Sequence, residues 1–203
     1  MDPKKTALIL VGYQNDYFAK DGILRGVVEQ PNRVDEVLEN TLSFIRAVQN
    51  TEMTIISTPI VLSPDYRAMA SPVGILNAMK ELNAFSQGTK GADTIPELLE
   101  FGNRITYVQG KVGFNAFAHT TLEQVLKERG ITHALVCGMV TSLCIDSTGR
   151  AAYERGLNVT VLSDNTSGRT GAEHEFYCAN IFPLYGRAAT NAEVLDELQG
   201  AAV

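Results

Sequence analysis

The sequence predicts an α/β protein of three layers, a six-stranded, mostly parallel sheet with helices on both faces. Three observations carry this expectation. Short apolar runs alternate with segments of helical spacing along the whole chain, the pattern of repeated strand–helix–strand units. The first run, Thr6–Val11, is apolar at nearly every position rather than at every second one, as in a strand covered on both sides. The 203 residues are read as one domain, 1–203, long enough for a substantial core.

The first strand ends at Gly12, and residues 13–30 read as a polar loop with a turn signal at Asp21-Gly22. Val34, Val37, Leu38, Leu42, Ile45 and Val48 follow helical spacing over Asn32–Gln49, with Asn32 as the cap. Met53–Thr58 is the second strand, ended at Pro59. Residues 59–103 are the least regular part, with short helical pieces near 73–83 and 95–100. So long a connection in one domain usually serves function or an interface. Arg104–Val108 is the third strand, and Thr120 or Thr121 caps a helix that Gly130 closes. The fourth strand, Ala134–Cys137, leads through a polar turn into a helix running to about Arg155. Asn158–Leu162 is the fifth strand, and a helix follows from Gly171 to about Phe182. Arg187–Ala189 is a short sixth strand, and Asn191 caps a last helix through Leu198.

Seventeen basic and 23 acidic residues give a net charge of −6. No basic cluster exceeds a pair, which argues against nucleic acid as a partner. No apolar run is long enough to span a membrane. The opening residues lack the apolar core of a signal peptide. Three cysteines, Cys137, Cys144 and Cys178, form neither a disulfide framework nor a zinc pattern. A cytoplasmic protein is expected. Glycine-rich nucleotide motifs and the G-x-S-x-G elbow are absent from the sequence.

Chemistry concentrates at the strand ends. Cys144 falls about one turn into a helix that begins where a strand ends. Free N–H groups and the positive end of the helix dipole favour a thiolate there; the alternative is a small thiol packing helix on strand. Gly12, Lys111, the Cys144 turn and Asp164 all follow strand ends, so a parallel sheet brings them to one rim. A lysine beside the thiol would activate it. Backbone N–H groups along Val140–Cys144 could form an oxyanion hole, and such a hydrolase also needs a general base. His119, His133 and His174 have no ligand spacing.

Three stretches together resemble the isochorismatase-like cysteine hydrolases, which include nicotinamidases, N-carbamoylsarcosine amidases and isochorismatases. Ala7-Leu8-Ile9-Leu10-Val11-Gly12-Tyr13-Gln14-Asn15-Asp16-Tyr17-Phe18 is similar to that family's first strand and its D-x-Q-x-D-F/Y stretch. Lys111, in Gly110–Phe117, matches the catalytic lysine and the x-A-F that follows. Gly138–Thr148 matches the G-x-x-T-x-x-C-I/V-x-x-T signature. The resemblance implies a Cys144 nucleophile supported by Lys111. It also implies an oxyanion hole at Val140, Thr141 and Cys144, and a cis peptide between Val140 and Thr141. Phe18, Phe114 and Phe117 are candidate walls of a substrate pocket, with aromatic core packing the alternative for each. A homo-oligomer is implied too, with residues 59–103 as a candidate interface.

One departure stands out: the family's catalytic aspartate is Gly12 here. Three readings compete, the first being that another acid, Asp16 or Asp164, replaces it. Alternatively the protein binds a ligand or assembles without turnover, or the glycine is an introduced change that silences an active hydrolase. The segment Thr58–Asp65 lacks the histidines with which related nicotinamidases hold zinc. The expected activity is therefore metal-free and cofactor-free cleavage of a C–N bond in a small amide, ureide or imide, through a Cys144 thioester. Thiol redox chemistry with Cys137 or Cys178 is the weakest reading.

Overall fold

The computed structural model describes residues 1–69 and 71–200. Six strands form one sheet: β1 (Thr6–Val11), β2 (Thr54–Thr58), β3 (Ile105–Tyr107), β4 (His133–Met139), β5 (Asn158–Ser167) and β6 (Arg187–Ala189). Their spatial order is β3-β2-β1-β4-β5-β6, and every pair is parallel. The helices between them are α1 (Asn15–Phe18), α2 (Asn32–Val48), α3 (Ile75–Glu81), α4 (Pro96–Leu99), α5 (Leu122–Glu128), α6 (Asp146–Tyr153), α7 (Gly171–Phe176) and α8 (Asn191–Gly200). None of the described helices is long and apolar enough to cross a membrane.

Successive strand residues face opposite sides of a sheet, which divides the core in two. Leu8, Leu10, Leu135 and Cys137 pack with Val34, Val37 and Ile45 of α2 and with Val194 and Leu198 of α8. Ala7, Ile9, Val11 and Val136 pack with Leu122 and Leu126 of α5 and with Ala151 and Ala152 of α6. All six β1 residues are buried, which is why the strand shows no polar alternation. Each fully buried Leu or Ile contributes roughly 1.5–3 kcal/mol of hydrophobic stabilisation.

Several expectations need correction. The loop after β1 is not polar and exposed, because Tyr13 through Phe18 are all buried and include α1. Asn32 is the first residue of α2 rather than its cap, and its amide donates to Glu36 instead. Thr190, not Asn191, caps α8: its hydroxyl accepts from Glu193 N–H at 3.3 Å while the Glu193 carboxylate accepts from Thr190 N–H at 2.7 Å. This reciprocal pair is a capping box. The helix expected over 171–182 breaks after Phe176 into a wide turn at Tyr177–Ile181 and a tight turn at Phe182–Leu184. β5 runs five residues beyond Leu162, because a bulge intervenes: Val136 pairs Val161, yet Gly138 pairs Thr166.

Ile9→Ala would remove a wholly buried side chain from the middle of β1. It should lower unfolding stability by roughly 2–5 kcal/mol in a denaturant titration. A loss below about 0.5 kcal/mol would contradict this packing.

Candidate active site

The strand order changes direction between β1 and β4, and ligands of open parallel sheets bind outside the carboxyl ends of strands at such a switch point. There Val11 lies opposite Gly138. A side chain at Gly138 would meet the Val11 carbonyl oxygen at 2.0 Å, so only glycine lets the two strand ends approach.

Beyond β4 a non-proline cis bond joins Met139 to Val140. The expected position, Val140–Thr141, is corrected by one residue: Met139 is still paired with Ser167 in the sheet, and the chain turns off immediately after it. Thr141–Ile145 form one wide turn, with the Val140 carbonyl accepting from Leu143 N–H at 3.1 Å and Ile145 N–H at 3.3 Å. Cys144 sits in this turn and is 4% exposed.

Lys111 follows β3 and reaches the thiol past β4, with β2 and β1 lying between the two strands. A side chain at Gly110 (φ +108°) would lie 2.5 Å from the His119 carbonyl oxygen, so glycine permits the bend that precedes the lysine. Lys111 then bridges to Ile60, just past β2. Its side chain is wholly buried, its Nζ lies 3.4 Å from Cys144 Sγ, and it also donates to the Gly113 carbonyl. Ala116 N–H donates to Thr148 Oγ1 at 3.1 Å, which ties the lysine loop to α6. Burial pushes Lys111 below the ordinary lysine range, while Cys144 opposes that shift.

The other two cysteines lie in different surroundings. Burial pushes the Cys137 thiol up to about 12 and the Cys178 thiol up to about 11.

Gly12 follows β1 at φ +78°. A Cβ there would stand 3.4 Å from the Tyr17 ring and 3.6 Å from the Met139 carbonyl oxygen. A Cβ would therefore sit in ordinary contact with both, but the left-handed backbone disfavours a side chain there. Tyr17 is almost wholly buried, and its hydroxyl is held protonated by burial, then by the nearby Cys144 and Asp16.

The two acids considered as replacements are engaged elsewhere. Asp16 accepts from Phe85 N–H at 2.6 Å beneath the 85–91 segment, and a side chain at Gly91 would collide with its carboxylate. Gln14 from the same stretch donates to the Ile60 and Ala92 carbonyls and accepts from Ile60 N–H. Asp164 accepts from Asn191 N–H at 2.8 Å and so fastens the start of α8.

The three aromatic candidates do not come together. Phe114 lines a cavity of about 360 Å³ with Met69, Pro72, Leu76, His119 and Ser147. Gly113, which accepts from Lys111, belongs to the same wall. Phe18 is stacked on Tyr13 in the core at 4.7 Å. Phe117 lies under the Arg155 guanidinium at 4.7 Å and borders a separate cavity. A larger cavity of about 580 Å³ opens at the amino ends of the strands, between His133, Tyr153 and Arg187, away from the thiol.

Side chains whose role sequence reading missed brace the Cys144 turn from α7. Thr141 Oγ1 and His174 Nδ1 are 3.0 Å apart, and Ser142 donates to Glu173, which also accepts from Arg169 at 2.8 Å. Burial alone would raise the Glu173 carboxyl, but Ser142 and Arg169 outweigh it and hold it below the ordinary range. These partners lie about thirty residues apart in sequence, so no local motif announces them. Among the described residues, no three His, Cys, Asp or Glu side chains gather to hold a metal ion.

Burial holds His133 and His174 below the ordinary value of about 6.5. Each therefore contributes stability that is complete above that value and lost as pH falls through its lowered one. The urea midpoint should fall between about pH 7 and about pH 5, and His174→Gln should remove part of the fall. A His174 resonance titrating at or above about 6.5 would contradict this environment.

The isochorismatase domain model matches residues 6–193. Two uncharacterized isochorismatase family proteins are similar to this chain. YecD of Escherichia coli O157:H7 is 26% identical over 200 residues, covering 98% of each chain. YwoC of Bacillus subtilis is 31% identical over 109 residues, 53% of this chain and 56% of YwoC, so that match spans about half of either protein. The ureidoacrylate amidohydrolase RutB of Methylobacterium radiotolerans is 26% identical over 92% of this chain and 76% of its own. A cysteine hydrolase structure from Pseudomonas syringae pv. phaseolicola 1448A superposes with a TM-score of 0.84 at 20% identity, covering 99% of this chain and 95% of its own. At that identity the likeness speaks for the fold. With the family model covering β1 through the start of α8, this chain belongs to the isochorismatase family of hydrolases.

Proposed function

We propose that the protein hydrolyses a C–N bond of a small amide, ureide or imide through a thioester on Cys144. The contact between Lys111 Nζ and Cys144 Sγ, 3.4 Å apart and buried, carries this reading. A cation beside a thiol favours the thiolate, which is the nucleophile. Attack on a carbonyl carbon places negative charge on its oxygen. The N–H groups of Val140, Thr141 and Cys144 at the start of the turn are the proposed donors to it, since the first N–H groups of a helical turn lack partners inside it. Collapse expels the nitrogen and leaves the acyl group on sulfur, and water then releases the acid. The Phe114 cavity is the proposed entrance, of a size for a small molecule. The similarity to a ureidoacrylate amidohydrolase supports a ureide among the first substrates to test.

Gly12 favours a second reading, a protein that binds such a ligand without turning it over, because the strand-one position carries no carboxylate. One experiment separates the two. Native protein is offered small amides, ureides and imides, and ammonia or amine release is measured beside Cys144→Ala. Turnover should vanish in the variant, and native protein quenched during turnover should carry an acyl mass on the Cys144 peptide. Turnover that survives in Cys144→Ala would refute the nucleophile. Saturable binding with no release from any substrate would favour the second reading.

A further inference from the structure

We propose that Lys111 is the acid–base catalyst of this site, taking the Cys144 proton and returning it to the departing nitrogen. This rests on the reading of Cys144 as the nucleophile. Among the described residues, the polar contacts of the Lys111 side chain are Cys144 Sγ and the Gly113 carbonyl, and no carboxylate forms an ion pair with it. The acids at this rim have partners of their own: Asp16 accepts from Phe85 N–H, Asp164 from Asn191 N–H, and Glu173 from Ser142 and Arg169. At Gly12 there is no side chain, and the Tyr17 ring borders the space.

A buried ammonium without a counter-charge is costly. Lys111 and Cys144 therefore hold one exchangeable proton between them, as thiol with amine or thiolate with ammonium. Every step then balances within the pair. The thiol proton passes to Nζ, and the thiolate adds to the carbonyl carbon. The tetrahedral adduct breaks its C–N bond as the Lys111 ammonium protonates the leaving nitrogen. Neutral Lys111 next takes a proton from the water that attacks the thioester. The C–S bond breaks, releasing the acid and restoring thiolate beside ammonium. Lys111 thus supplies both the positive charge and the proton transfer.

Lys111→Arg separates these roles, because a guanidinium stays charged but accepts no proton at working pH. Iodoacetamide should still modify Cys144 selectively in this variant, while kcat/KM falls roughly a hundredfold or more. In Lys111→Ala, methylamine should restore turnover in proportion to its free-base fraction, whereas guanidinium should not. Near-native turnover of Lys111→Arg, equal rescue by guanidinium, or no rescue of folded Lys111→Ala by either compound would overturn the proposal. If Lys111→Arg does not fold, the Lys111→Ala rescue decides. Turnover that persists in Cys144→Ala would instead defeat the underlying assignment of the nucleophile.

Discussion

A lysine side chain shut away from water, with a thiol as its one ionisable contact among the described residues, is the constraint around which this structure is arranged. Such a group survives only where position is exact, since a loosened contact leaves a charge stranded in low dielectric. The fold supplies that position from separate parts of the chain. Gly110 lets the strand bend, the bridge to Ile60 fixes the lysine's height on the rim, and Thr148 holds its loop to α6. The wide turn after β4 delivers the sulfur, braced by Thr141 and Ser142 against α7.

The stretch after β1 does different work from what its acidic residue suggests. The Gln14 and Asp16 side chains fasten the long connection after β2 at Ile60, Phe85 and Ala92 through hydrogen bonds to its backbone. A connection of more than forty residues with little regular structure would otherwise cover the site loosely. Asp16 anchors this connection at Phe85, and burial holds its carboxyl above the ordinary range against the opposing Phe85 N–H bond.

Much of this was legible in sequence, because unbroken apolar runs and helical spacing report burial directly. β1, α2 and β4 were visible for that reason, and so were Lys111 and Cys144, each set just past a strand end. What escaped depends on contacts between distant residues. The side-chain cap of α8 lies one residue before Asn191 because Glu193 reaches back to Thr190. Sequence left Phe18 and Phe117 open between pocket wall and core packing, and only distant partners decide: their faces are taken by Tyr13 and Arg155. The bulge in β5 and the His174 brace leave no local signature at all.

If Lys111 and Cys144 balance one another's charge, they share a fixed number of protons. Neutron diffraction from a deuterated crystal at neutral pH can count them, since deuterons on Nζ and Sγ are seen directly. The account requires three in total, as ND3⁺ with a bare sulfur or ND2 with S–D. Four, an ammonium beside an intact thiol, would mean that another anion balances Lys111 and would contradict the pair as the catalytic unit.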